Sequence, residues 1–494
     1  MPRRIRSRPC SNWLAVVVRK AEAIEDELRA HVRAHADRGA ISRWAVPVGV
    51  RFVESIDKTS LGKVDKKLLR HKYAGAATDR RDARMTSQPA VATTPSKANG
   101  STTQLPPVDG DFYHIRSVLP AEDQALLARV RDFMQDQVAP IIEDYWARAE
   151  FPFQIIPGLR ALNVAGLPYT GYGCPGRGSV LDGLLAMEIA RVDCSVATFL
   201  GVHSGLAMGS IYLCGSDEQK QRWLPAMARM ETLGAFGLTE PEVGSGAAGG
   251  LTTTARREGD SWVLNGQKKW IGNATFAELT VIWARDVADN QVKGFVVEKG
   301  TPGFRAEKME GKIALRAVQN ALITLDECRV PETHRLQRAR SFRDTAAVLR
   351  MTRAGVAWQA VGCAMGAYEL ALDYARRRQQ FGRPIAGFQL VQDLLVRMLG
   401  NVTAAQCMAL RLSQLQEAGQ LTDEQASLAK AFCTVHARET VGWARELFAG
   451  NGILLEHHVG RFVADAEAIY SYEGTREINS LIVGRAVTGL SAFV

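Results

Sequence analysis

Beyond residue 110 the hydrophobic pattern changes period twice, and that double change leaves few folds open. The segment PAEDQALLARVRDFMQDQVAPII places apolar residues three and four apart behind an acidic start. SVLDGLLAMEIARV repeats the spacing, so residues 111–234 read as mainly helical. From about 235 to 340 the period drops to two. LTTTARREGDSWVLNGQKKW alternates in polarity around the turn dipeptides Gly259-Asp260 and Asn265-Gly266. ELTVIWARD, KGFVVEKG and ALITLDECRV are short strand-like runs between turn residues. Helical spacing returns from about 345, most clearly in AAVLRMTRAGVAWQAVGCAMGAYELALDYARRR. The sequence therefore predicts an α+β body: a helical domain over 111–234, a β domain over 235–344 and a helical domain over 345–494.

Ahead of this body, residues 74–110 are rich in Ala, Ser, Thr, Pro and Gly and hold almost nothing to bury. Such a stretch cannot offset the entropy of ordering itself, so 76–110 reads as a flexible linker, with Met85 as an alternative start. Upstream, KAEAIEDELRAHVRAHADRG has Ile24, Leu28 and Val32 at four-residue spacing, followed by a strand-like VGVRFVESI and then DKTSLGKVDKKLLR. Over residues 13–75 this resembles the closing part of AMP-forming acyl-CoA synthetases, whose C-terminal lid ends in Lys-Thr-x-x-Gly-Lys and a basic helix; the matching lysine is Lys63. No large nucleotide-binding domain stands ahead of Lys63 in this sequence. A fusion remnant or a translated upstream reading frame over 1–75 is expected rather than an adenylating ligase.

The formal net charge of +9 would suit a nucleic-acid binder if it were spread over the chain. Its Lys and Arg excess lies within residues 1–100, however, and the remainder is slightly acidic, so no nucleic-acid partner is expected. The eight cysteines stand singly, with no CxxC pair and no histidine at ligand spacing, which argues for reduced, mostly buried thiols and against a metal site. No uninterrupted apolar run of membrane-spanning length is evident, and LAVVV is too short for a signal-peptide core. The expected location is cytoplasmic, without a membrane partner. GYGCPG matches the spacing GxGxxG, but a proline stands where the helix should open and no apolar strand leads in, so it is not read as a dinucleotide-binding loop.

Five separated motifs carry the chemistry: FGLTEPEVGSG, NGQKKWIGN, RRRQQFGRP, LFAGNGI and YSYEGTREIN. Taken alone, the YEG of the last reads as an exposed turn. In this order and spacing the five resemble the acyl-CoA dehydrogenase family of flavoproteins, most closely the branch of glutaryl-CoA dehydrogenases and plant-type short-chain acyl-CoA oxidases. The resemblance covers residues 111–494. It implies an N-terminal helical domain, a middle small β-barrel domain and a C-terminal four-helix bundle. It also implies FAD as cofactor and a homotetramer built as a dimer of dimers. The implied reaction oxidises an acyl-CoA to the trans-2-enoyl-CoA, the β-hydrogen leaving as hydride to flavin N5, with an electron-transfer flavoprotein or O2 as the next acceptor.

Carried over by position, the resemblance makes Glu473 the base that takes the α-proton, its backbone N–H facing the thioester oxygen, with Gly474 letting the loop lie close to the flavin. Some relatives take the base from an earlier helix; that place is held here by Thr352, which is no base, beside Arg353, a structural arginine. Leu238, Thr239, Ser245, Trp270 and Ile271 fall at FAD contacts, as do Thr475 and Glu477. Arg378, Gln380 and Phe381 resemble residues that reach the FAD of a neighbouring subunit, and Gln389 with Gly450, Asn451 and Gly452 lines the same tract. Substrate contacts are expected from Ser245, Arg353, Tyr472 and Gly474.

Three departures shape the substrate and acceptor. Gly272 stands where dehydrogenases commonly have threonine or serine, a glycine shared with plant-type oxidases. Gly246 replaces the aspartate of Gly-Ser-Asp. Ala197 in RVDCSVATF occupies the place of the arginine that glutaryl-CoA dehydrogenases use for the distal carboxylate, so a short or medium saturated acyl-CoA is favoured over a dicarboxylyl one. An oxidase, a glutaryl-CoA dehydrogenase, an adenylating ligase and a non-catalytic scaffold are the alternatives.

Overall fold

The computed structural model describes residues 14–18, 25–38, 49–53 and 105–492, with the single positions 56 and 69. It divides into two units, Met1–Gln104 and Leu105–Val494. In the first, strands Leu14–Val18 and Gly49–Val53 pair in parallel, and a helix spans Glu25–Asp37 between them in sequence. The helix falls inside the stretch with four-residue spacing and the second strand inside VGVRFVESI. Lys63, Met85 and residues 76–104 lie outside the described residues.

In the second unit the period changes of the sequence are the domain changes of the fold. Helices Ala121–Phe133, Ala139–Arg148, Ile156–Leu162, Ser179–Val192 and Asp217–Ala228 form most of the first part. Between the last two, Cys194–Leu200 continues through a π-helical stretch, Gly201–Met208, into Gly209–Cys214. By length and composition Cys194–Cys214 could cross a membrane, contrary to the sequence reading, but 61% of its apolar window is buried inside the protein. It is a core helix of this domain, its apolar residues sharing one hydrophobic cluster with Phe151, Leu238 and Val356.

The middle domain, expected as a small β-barrel, is a curled seven-stranded sheet. Its path runs Phe304–Lys308, Asn320–Pro331, Ser261–Gly272, Thr254–Glu258, Leu279–Asp286, Gly234–Gly237, with Val292–Glu298 also on Leu279–Asp286. Alternate residues Trp262, Leu264, Ile323 and Phe295 fill a core of its own.

The C-terminal domain consists of the long helices Phe342–Arg377, Gln389–Glu417 and Asp423–Phe448, then Val459–Ser471 and Arg476–Thr488. Ser341 with Asp344, and Thr422 with Gln425, make capping boxes that fix two of the helix starts. Gly362 and Gly366 set the depth at which the first long helix meets Ser179–Val192, because a Cβ at either would run into the backbone carbonyl of Met187 or Arg191. Arg191 closes that contact, donating to Glu188 at 2.8 Å and to Glu369 at 2.9 Å. Residues 105–110, within the stretch whose composition reads as linker, are held on this domain: Gly110 N–H donates to Glu369 Oε1 at 3.0 Å and Arg376 to Pro106 O at 2.7 Å.

Candidate active site

Where the three domains of the second unit meet, they enclose a cavity of about 1200 Å3. Each domain contributes a wall. The sheet contributes Leu238 and Thr239 at one strand end and Trp270, Ile271 and Gly272 at another. The first domain contributes Ala197 and Gly201, and the C-terminal helices contribute Thr352, Arg353 and the turn Tyr472–Thr475.

The turn is shaped by what flanks it. One helix ends at Ser471 and the next starts at Arg476 with Thr475 as its cap, the Thr475 hydroxyl accepting from Ile478 N–H at 3.3 Å. The chain must reverse within three residues, and it does so with Glu473 at φ +55° and Gly474 at φ +86°. A left-handed glycine is ordinary; a left-handed glutamate is strained and persists where its surroundings hold it. Several neighbours hold this one. Tyr472 OH donates to Gln359 Oε1 at 2.6 Å, Asn479 Nδ2 donates to Gly474 O at 2.8 Å, and Thr352 Oγ1 donates to Glu473 Oε2 at 2.8 Å.

Glu473 thus presents its carboxylate to the cavity wall with one hydroxyl donor on Oε2. Burial raises its pKa above the usual carboxylate range, while Thr352, Arg353 and Lys430 pull the other way. Arg353 lines the same wall, and its buried Nε has no partner among the described residues.

The sheet brings Trp270 to the same cavity. Pairing between Asn320–Pro331 and Ser261–Gly272 slips a residue between Lys268 and Ile271, and in that bulge Trp270 takes φ +67° and is 55% exposed. Lys269 N–H donates to Thr239 O at 2.8 Å, and Asn320 Nδ2 to Trp270 O at 3.1 Å. Beneath lies a buried ion pair: Lys268 Nζ donates to Glu240 Oε1 at 2.9 Å and to Leu238 O at 3.0 Å. Burial alone would raise the Glu240 pKa; Lys268 and the hydrogen bonds from Thr252 and Thr253 overcome it and bring the value to about 2. This pair anchors the strand end that carries Leu238 and Thr239.

Of the residues singled out in the sequence, Leu238, Thr239, Ser245, Trp270, Ile271, Arg353, Tyr472, Glu473, Gly474 and Thr475 come together on this cavity. Arg378, Gln380 and Phe381 do not: they belong to a surface hairpin, Gln379–Gln380 against Arg383–Pro384, where Phe381 is 90% exposed. Gln389 opens a helix at the surface, Gly450, Asn451 and Gly452 form the short turn Ala449–Ile453, and Glu477 faces solvent. Within one chain these eight stay outside the cavity.

Three models of one family match the body in order: acyl-CoA dehydrogenase N-terminal domain at residues 120–231, middle domain at 235–328 and C-terminal domain at 342–488. The acyl-CoA dehydrogenase of Bacillus subtilis (strain 168) is 35% identical over 374 residues, which is 74% of this chain and 98% of the relative. The chain belongs to the acyl-CoA dehydrogenase family. Its members are FAD-binding oxidoreductases acting on CH–CH bonds. The mitochondrial short-chain specific acyl-CoA dehydrogenase of Homo sapiens is 33% identical over 381 residues, 74% of this chain and 90% of that one. Among solved structures, a glutaryl-CoA dehydrogenase from Mycobacterium smegmatis in complex with FADH2 superposes with a TM-score of 0.75 at 34% identity, covering 77% of this chain and 98% of that one. None of the family models reaches residues 1–75, and nothing in these comparisons carries the synthetase resemblance.

Three residues went unread in the sequence: Gln359, which lines the cavity, and Lys430 and Glu240, which hold lining segments from behind. Lys430 sits on the Asp423–Phe448 helix and Gln359 on the long helix, with no motif around either. Glu240 lies inside FGLTEPEVGSG, a signal that was there to be used. Thr352, set aside because it is no base, is the group that touches the glutamate. The glycine at 272 also gains a neighbour: a Cβ there would stand 3.2 Å from Val202 Cγ2, so the side chain usual in dehydrogenases would crowd this wall. Gly246 has open space around its Cα, and no close approach demands a glycine there.

Proposed function

We propose that the protein catalyses FAD-dependent α,β-dehydrogenation of a short- or medium-chain acyl-CoA to the trans-2-enoyl-CoA, with Glu473 taking the α-proton. The observation that carries this is Glu473 itself: a carboxylate on the cavity wall, in a strained left-handed turn, with its pKa raised by burial. An α C–H beside a thioester is a weak acid, so a base of raised pKa is the more effective acceptor, provided it stays ionised. Thr352, Arg353 and Lys430 favour the ionised form. The hydroxyl of Thr352 occupies Oε2, which leaves Oε1 for the substrate proton. The Glu473 N–H, set by the same turn, is the expected donor to the thioester oxygen as negative charge develops there.

FAD, when bound, supplies the two-electron acceptor for the departing β-hydrogen. The cavity suits a large planar ligand: Trp270, an exposed aromatic, lines it together with Glu473 and the anchored Leu238–Thr239 strand end. Leu238, Thr239, Ser245, Trp270, Ile271 and Thr475 would hold it from one chain. Arg378, Gln380, Phe381, Gln389, Gly450, Asn451, Gly452 and Glu477 would reach it from a neighbouring subunit of a homotetramer. The nearly bare Phe381, Leu390 (82% exposed) and Ile453 (73%) support such an interface.

Two features of the wall favour a neutral acyl chain over a dicarboxylyl one. Ala197 offers no cation, and Asp182 lines the same cavity with a carboxyl pushed up to about 6 by burial. Neither residue would pair with a second carboxylate from substrate. Anaerobic titration of the flavin-loaded protein with butyryl-CoA, octanoyl-CoA and glutaryl-CoA tests this. Bleaching by the first two and not by the third is expected; bleaching by glutaryl-CoA alone would overturn the substrate reading.

The acceptor we propose is an electron-transfer flavoprotein, in a cytoplasmic setting. Gly272 supports a second reading, delivery to O2, because it removes a side chain beside the expected flavin edge. Mixing the reduced protein with air-saturated buffer distinguishes the two: slow reoxidation supports the dehydrogenase, fast reoxidation the oxidase.

A further inference from the structure

Lys430 is wholly buried, and its ammonium has two hydrogen-bond partners, both backbone carbonyls of the turn that carries Glu473: Tyr470 O at 2.7 Å and Gly474 O at 2.7 Å. No carboxylate lies within ion-pair distance of it among the described residues. A buried ammonium costs free energy unless its surroundings repay it, and an uncharged donor could serve two carbonyls at lower cost. The cation must therefore be read together with what it clamps. Tyr470 lies in the last turn of one helix and Gly474 just before the cap of the next, so the ammonium ties the two ends of the reversal together across the strained Glu473.

We propose that Lys430 is a positioning residue for the reaction: by bridging Tyr470 O and Gly474 O it fixes at once where the Glu473 carboxylate points and where the Glu473 N–H points. This rests on the reading of Glu473 as the base. The two groups leave the same residue, so one backbone rotation would misdirect both, and holding φ at +55° against relaxation to a right-handed or extended conformation aims both. The charge has a second effect. Lys430 lowers the Glu473 pKa, while its own is lowered to about 8, by burial first and by Arg353, against the opposing pull of Glu473 and Glu477. The ammonium thus acts on Glu473 in two ways, as tether of its turn and as counter-charge.

Lys430→Met, in the full-length flavin-loaded protein, removes both and keeps most of the side-chain volume. Bound flavin and the butyryl-CoA concentration for half-saturation are expected to stay within about threefold of wild type, while anaerobic flavin reduction slows about 100-fold, the scale expected for a misplaced reacting group. The acid limb of the reduction rate is expected to move to higher pH, because a cation that lowers the Glu473 pKa is gone. Wild-type reduction in Lys430→Met would overturn the proposal. So would a loss confined to flavin retention with the acid limb unmoved, since a merely structural lysine predicts that. Should Lys430→Met fail to fold, Lys430→Gln, whose neutral amide ends one bond short of the ammonium that bridges the two carbonyls, carries the same expectations and the same overturning results. A Glu473→Gln control separates the two readings. If it reduces flavin at the wild-type rate, the base assignment falls; if it is inactive while Lys430→Met is normal, only the positioning role falls.

Discussion

The hydroxyl of Thr352 offers the sharpest perturbation of the candidate base. Thr352→Val keeps the shape of the side chain and removes the 2.8 Å donor to Glu473 Oε2. A hydrogen bond to a charged group contributes about 1.5–3 kcal/mol. The same hydroxyl has Leu349 O at 3.2 Å as an alternative acceptor, which places its net preference for the carboxylate at the low end of that range. At about 1.36 kcal/mol per pKa unit, losing this donor raises the Glu473 pKa by about one unit. The sign follows from which form is stabilised: the donor favours the carboxylate, so without it the proton is held to higher pH. Because the base acts ionised, the flavin-reduction rate rises with pH through that pKa, and the whole acid limb moves up by about one pH unit. Stopped-flow reduction with saturating butyryl-CoA, measured across pH, reads this directly. Below the limb Thr352→Val is about tenfold slower than wild type, and well above it the two converge. Thr352→Ser, which keeps the hydroxyl, leaves the limb in place. A limb that fails to move, or moves to lower pH, refutes the reasoning.

Three further outcomes follow from the same geometry. Gly474→Ala forces an alanine to φ +86° with its Cβ 3.2 Å from Asn479 Nδ2, so stability falls by about 1 kcal/mol and flavin reduction slows about tenfold, read by thermal unfolding and stopped flow. Glu240→Gln leaves the buried Lys268 without its counter-charge, and denaturant unfolding should show a loss of about 3–5 kcal/mol together with weakened FAD retention. Asp465, its carboxyl pushed up to about 7 by burial and by Asp193, favours folding most when protonated. That contribution is complete at acid pH and is lost as pH rises toward 7. Asp465→Asn, whose Oδ1 can still accept from Trp146 Nε1 and Leu315 N–H, therefore raises the melting temperature at pH 8 and leaves it near wild type at acid pH.

What the sequence disclosed and what it withheld divide along sequence separation. The helix–sheet–helix order was readable because period is a local property: SVLDGLLAMEIARV and LTTTARREGDSWVLNGQKKW each carry their own signature. The cavity residues were readable wherever a motif kept them contiguous, as in YSYEGTREIN. Contacts across the fold were not. Thr352 reaches Glu473 over 121 positions, and Lys430 reaches Gly474 over 44; neither spacing marks the pair in advance. Trp270 was singled out, but the bulge that turns it toward the cavity arises from register with Asn320–Pro331, which a single strand does not encode. Cys194–Cys214 shows the reverse limit. Its composition would suit a lipid environment, and only the packing of the surrounding helices shows that protein fills that role.

The measurement that bears most directly on the account is anaerobic stopped-flow reduction of bound flavin by butyryl-CoA in Glu473→Gln, which preserves the shape of the turn and removes the base. With flavin content and thermal stability near wild type, the account predicts reduction slower by about 10² to 10⁴. Reduction at the wild-type rate in a flavin-loaded Glu473→Gln protein would contradict it.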